Sequence, residues 1–152
     1  PMIISIGLGV SWLEVAQVAP IAATVQIFGM AASAIWAMTR LSQKSTLLLD
    51  GAIGLYAGWV TAASGVSLGV VLTGYGVLRP DAAAIVCLSL SCIVAVVVKL
   101  RCHAPLTYAL AVAWAFFGVL MANIDSGMLL PSLAGLALSA VTLAALTGRH
   151  NS

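Results

Sequence analysis

Long apolar runs separated by short polar or charged turns organise this chain. Val15–Thr39, Gly51–Leu78, Ala82–Val98, Ala104–Ile124 and Ser126–Gly148 contain no Asp, Glu, Lys or Arg. Each is about as long as the ~17–25 residues that carry a helix across the hydrocarbon core of a bilayer. Lipid offers the backbone no water, so such a run must satisfy its own hydrogen bonds, which a helix does. The pattern predicts an all-α, polytopic transmembrane helix bundle with five full spans plus a short N-terminal helix. It forms a single membrane domain over 1–152, with helices expected at about 2–14, 18–41, 46–74, 82–100, 105–122 and 127–147.

The turns refine this reading. Met2–Leu13 is apolar but short, and Glu14, Gln17 and Pro20 follow it. It reads as a short helix turning tightly into the next one, or as a lone interfacial helix. Pro20 suits a first helical turn, where its missing N–H costs nothing. Ser45 or Thr46 can cap the third helix, and Asp50 then sits near its positive end as a cap or interface anchor. Asp81 is placed to cap the fourth helix and Pro105 to open the fifth. Lys99 is expected to snorkel along its own stem to the headgroups.

The third helix carries the most information. At about 100° per residue, Gly51, Gly54, Gly58, Gly65 and Gly69 fall in a stripe roughly 60° wide. It contains two small-xxx-small pairs in register, Gly54/Gly58 and Gly65/Gly69. Such stripes let helix backbones approach closely in membranes. Tyr56, Trp59, Ala63, Ser67 and Val70 lie on the opposite face. That face either lines a cavity or meets lipid or another subunit.

Composition agrees with the pattern. Mean hydropathy is +1.16 with 7% charged residues, more apolar surface than a soluble domain of this size can hide. The lipid bilayer is therefore the first partner. Six basic residues against four acidic give a net charge of +2, too small and too dispersed for a nucleic-acid partner. Basic residues in short loops mark the cytoplasmic side. Arg40 and Lys44, then Lys99 and Arg101, then Arg149 place the first loop, the third loop and the C-terminus there. Pro1-Met2 follows no basic segment and does not resemble a cleaved signal peptide. Either an initiator Met preceded Pro1 or further residues do.

Several chemistries lack their residues. Bis-histidine haem ligation needs His inside helices, and only His103 and His150 occur, both at helix ends. No mid-helix Lys is present for a retinal Schiff base, and no acid or base sits at depth in the main spans for proton relay. A Ser–His or Cys–His hydrolase pair would need a His near the membrane interior, for which His103 is the only candidate and a poor one. The chain reads as no enzyme, with no catalytic residues and no metal site. Cys87, Cys92 and Cys102 show no metal or disulfide spacing. Cys87 and Cys92 share a helix but point in different directions, as small buried apolar residues do. His103 beside Cys102 reads as a turn residue, with an axial ligand to a tetrapyrrole as the alternative.

The stretch from Gly54 to Ala63 contains Tyr56-x-x-Trp59-x-x-x-Ala63. It resembles the signature helix of the tryptophan-rich sensory protein family, the bacterial relatives of the translocator protein, in a longer, divergent branch. Trp12 before a short turn, Tyr108 after a basic turn, and Ala113-Trp-Ala-Phe-Phe-Gly118 fit the same branch, so the resemblance runs from Trp12 to the C-terminus. Ser67 stands where the family has Asn, and the family's Trp-Pro-Pro segment has no counterpart. The resemblance implies a bacterial inner-membrane protein binding a tetrapyrrole or other flat apolar ligand for sensing or transport. It implies ligand contacts at Tyr56, Trp59 and Trp114; Ser67 or a backbone group would then supply orientation. The alternative is a non-catalytic accessory subunit packed against a larger photosynthetic or respiratory complex. A third reading is half of a small-metabolite transporter. Each expects further membrane helices as partners, in a homo-oligomer or a larger assembly.

Overall fold

The computed structural model describes residues 1–40, 47–125 and 129–147. They form six helices: α1 (Met2–Val18), α2 (Pro20–Thr39), α3 (Leu47–Gly74), α4 (Pro80–Arg101), α5 (Leu106–Ala122) and α6 (Leu129–Thr147). Pro20–Thr39, Leu48–Gly74 and Pro80–Arg101 are each long and apolar enough to cross a membrane, and the other helices are shorter and apolar. The chain is an integral membrane protein.

Local chemistry sets the breaks. α1 runs past Glu14 and Gln17 to Val18, further than the polar residues suggest, because neither interrupts helical geometry. The break falls at Ala19 (φ −143°, ψ 75°), where Pro20 opens α2 without needing an N–H partner. Gly76 takes a left-handed φ of 68° after α3. The Val77 and Gly76 amides then bond back to the Leu72 and Thr73 carbonyls, closing the helix end. Asp81 does not cap α4. Arg79 is the N-cap residue, Pro80 is the first helical residue and Asp81 lies within the first turn. Pro105 is the N-cap residue of α5. The expected cap at Ser45 or Thr46 and the charges of Lys44 and Arg149 lie outside the described residues.

Short connections make successive helices antiparallel. α3 is the hub, packing on α2, α5 and α4, while α6 closes against α5 and α4 and α1 packs on α2. The glycines of α3 explain its centrality. A side-chain carbon on Gly58 would meet the Tyr108 backbone carbonyl and, at 2.9 Å, the Ala111 Cβ. One on Gly54 would collide with Pro105 and lie 2.5 Å from the Thr107 hydroxyl. Gly65 and Gly69 instead face α4, against Ser91 and Cys87, and a side-chain carbon on Gly51 would meet Thr107 at ordinary contact distance. The stripe thus serves two partners, α5 in its first half and α4 in its second.

Polar atoms inside the bundle are mostly spent locally. Thr24, Ser33, Thr61, Ser64 and Thr73 each donate to the carbonyl four residues back in their own helix, a common solution for hydroxyls in lipid. Tyr108 is fully buried and its hydroxyl reaches Thr61 at 3.4 Å. Lys99 does not snorkel outward. It is buried, and its ammonium donates to the Ala104 carbonyl across the α4–α5 turn.

Gly58→Ala should lower the unfolding temperature in detergent, by the equivalent of about 1–3 kcal/mol, because the obstacle is backbone and cannot rotate away. Gly118→Ala on α5 has open space around it and should be neutral or mildly stabilising. Equal melting of the two variants would remove the close α3–α5 approach as the organising contact.

Candidate functional site

A cavity of about 740 Å³ forms a groove at the end of the bundle remote from Arg40, Lys99 and Arg101. The C-terminal half of α3 forms its floor. Trp59, Val66 and Val70 line it and are each more than half exposed, so the groove opens on the outside of the bundle. Trp12 of α1 with Thr24 and Ile27 of α2 line one side; Cys87 and Ser91 of α4 line the other. Phe116 of α5 and Asn123, just past its end, add to the lining. The groove exists because α2 and α4 both pack on α3 while not packing closely on each other.

Hydrogen bonds fix its first side. The Trp12 indole Nε1 donates to the Ala23 carbonyl at 3.0 Å, which ties α1 to α2 and holds the ring at the groove. The Gln26 amide reaches back to Ser11 Oγ at 2.9 Å and to the Leu8 carbonyl. Ser67 and Thr24 share a hydroxyl–hydroxyl bond of 2.7 Å between α3 and α2. Thr24 also reaches the Pro20 carbonyl of its own helix at 2.9 Å. Ser67 is therefore a bridge between helices as well as a lining residue.

The sequence-derived candidates separate in space. Tyr56 and Trp59 are neighbours, with ring centroids 6.4 Å apart and planes tilted by 39°. Only Trp59 lines the groove. The Tyr56 hydroxyl lies 3.0 Å from Ser5 Oγ, and Ser5 in turn donates to the Met30 carbonyl at 2.9 Å. Ser5 is fully buried, and this junction joins α1, α2 and α3. Trp114 lies apart from them. It is 75% exposed, stacks at 5.9 Å on Phe117 and does not line the groove. Sequence reasoning missed Trp12, Thr24, Cys87 and Ser91 as lining residues. The spacing of Cys87 and Ser91, one helical turn apart, was the available signal for the α4 side.

Among the described residues no Asp, Glu, Lys, Arg or His lines the groove, and no group of three or more potential metal ligands is assembled. The arrangement can bury and stack an apolar body, and its volume falls in the ~300–1,000 Å³ range usual for small-molecule sites.

A family model described as TSPO-like protein matches residues 1–148. No curated protein and no solved structure gave a match.

The Ser5–Tyr56 junction is testable by a double-mutant cycle. Ser5→Ala and Tyr56→Phe should each cost about 1 kcal/mol, as single hydrogen bonds between membrane helices do. Combined, they should cost clearly less than the sum, since each already breaks the same bond. Strict additivity in thermal or denaturant unfolding would mean that the two hydroxyls do not interact.

Proposed function

Because the chain belongs to the TSPO-like protein family, we propose that it binds a flat apolar ligand such as a tetrapyrrole in the groove floored by α3, for sensing or transport. Members of this family are non-catalytic membrane proteins, and the chain is not an enzyme. The observation that carries the reading is the groove itself. It is large and almost wholly apolar, with the Trp12 and Trp59 rings along it. Flat aromatic ligands gain affinity from area burial and from stacking on such rings. Tyr56 supports Trp59 from behind through their ring contact, while its hydroxyl stays engaged with Ser5.

Titration with protoporphyrin IX, followed by quenching of the four tryptophans, tests this. The parent should bind saturably. Trp59→Ala should weaken binding about three- to tenfold, the usual worth of an aromatic contact. Tyr56→Ala should weaken it less. Unchanged affinity in Trp59→Ala would remove the groove as the site.

The accessory-subunit reading rests on a different observation. Leu110, Trp114, Phe117 and Met121 form an exposed apolar stripe on α5. Trp114 lies mid-helix, away from the interfacial level where lipid-facing tryptophans concentrate. A partner helix from a larger complex or a second copy would cover it. Absence of saturable porphyrin binding by the parent would leave this as the better account.

In the proposed orientation, supported by the basic residues of the short loops, the Arg40 and Arg101 ends face the cytoplasm of a bacterial cell and the groove lies in the outer half of the inner membrane. In a background lacking the three native cysteines, a membrane-impermeant thiol reagent applied outside should label Asp125→Cys and spare Ser152→Cys. The reverse pattern would invert the topology.

A further inference from the structure

We propose that the ligand carries an acceptor oxygen, a carbonyl or carboxyl, and that the Ser91 hydroxyl on α4 receives it. The inference rests on the groove-binding reading above and specifies what the groove recognises. Ser91 is only 8% exposed, yet it lines the groove. Its counterparts along the groove are already engaged: Thr24 donates to Pro20, Ser67 and Thr24 share a hydroxyl–hydroxyl bond, and Thr73 donates to Gly69. Ser91 makes no hydrogen bond among the described residues, not even to the Cys87 carbonyl four residues back. Its hydroxyl lies against Gly65 instead, in the space that any larger residue would take.

Thr107 offers an instructive contrast. Its hydroxyl is also unpartnered, but it is sealed between α3 and α5 beside Gly54. Ser91 is the unpartnered buried hydroxyl that a ligand can reach. Cys87 lies one turn away and also lines the groove, and a side-chain carbon placed on Gly69 would lie 3.7 Å from its sulfur, so a weaker S–H donor stands beside the O–H. A buried hydroxyl without a partner is unfavourable, and a hydrocarbon ligand would leave it so. An oxygen that accepts from Ser91 satisfies it and fixes which edge of a flat ligand points to α4. Orientation therefore comes from α4, and Ser67 on the facing side closes the helix contact.

The test compares protoporphyrin IX, which carries carboxyl groups, with etioporphyrin, the same ring bearing only alkyl groups. Both are measured in one detergent and corrected for partition into protein-free micelles. The parent should bind protoporphyrin about tenfold more tightly than etioporphyrin. Ser91→Ala should lose that difference by weakening protoporphyrin alone, while Ser89→Ala, on the exposed side of α4, should keep it. Thermal unfolding of each variant shows whether the fold is intact, and the parent comparison stands if Ser91→Ala does not fold. If the parent binds both porphyrins equally, the groove reading survives and the acceptor-oxygen proposal falls. Equal loss of both ligands in a folded Ser91→Ala also overturns it. If the parent binds neither, the groove reading fails and this proposal fails with it.

Discussion

At Gly58 the carbonyl of Tyr108 occupies the place where any other residue would hold its first side-chain carbon. Much of the rest follows from that approach. Lipid gives no hydrophobic reward for helix association, so contact between helices depends on fit and on hydrogen bonds. With the backbones this close, Tyr108 can bury its whole ring and still bring its hydroxyl to Thr61. The same helix then uses Gly65 and Gly69 to seat α4. A single α3 face thus holds α5 near one end of the bundle and α4 near the other. α2 packs along a different strip of α3, and the strip left uncovered between α2 and α4 is the floor of the groove.

The parts of this arrangement that depend on one helix at a time were legible in the sequence. Charge-free runs between short turns marked the six helices, and the glycine spacing in α3 marked a face able to take close neighbours. The sequence could not say that this face divides between two partners, because nothing in α3 names which helix comes back against it. The groove was hidden for the same reason: it lies between α2 and α4, which are joined to α3 but not to each other. Tyr56 and Trp59 looked equivalent because they share a face. Their difference comes from Ser5, about fifty residues away in sequence, which engages the tyrosine and leaves the tryptophan at the groove. Trp114 looked like a member of the same set by residue type alone.

Hydroxyl groups show a related gap between composition and chemistry. A serine or threonine in a hydropathy profile counts as polar wherever it falls. Most of those in these helices donate to their own backbone, so what they present outward is nearly as apolar as alanine. Cys87 and Cys92 show the same dependence on place. One faces the groove and Gly69, while the other reaches toward the Ala137 carbonyl of α6 at 3.9 Å. Polar character inside this bundle is decided by what each atom has already bonded.

The Ser5 junction has a mechanical side. α1 and α2 form a hairpin bound together by Trp12 and Gln26, and the groove is the seam where this hairpin meets the rest of the bundle. Ser5 and Tyr56 sit toward one end of that seam, with Trp12 and Ala16 at the other. Eleven helical residues separate Ser5 from Ala16, a lever of about 16 Å. A tilt of about 5° at the junction would move the far end by about 1.4 Å, close to the radius of a water molecule. The width of the groove at that end therefore depends on how firmly α1 is held, and the Ser5–Tyr56 bond that helps hold it lies outside the groove lining.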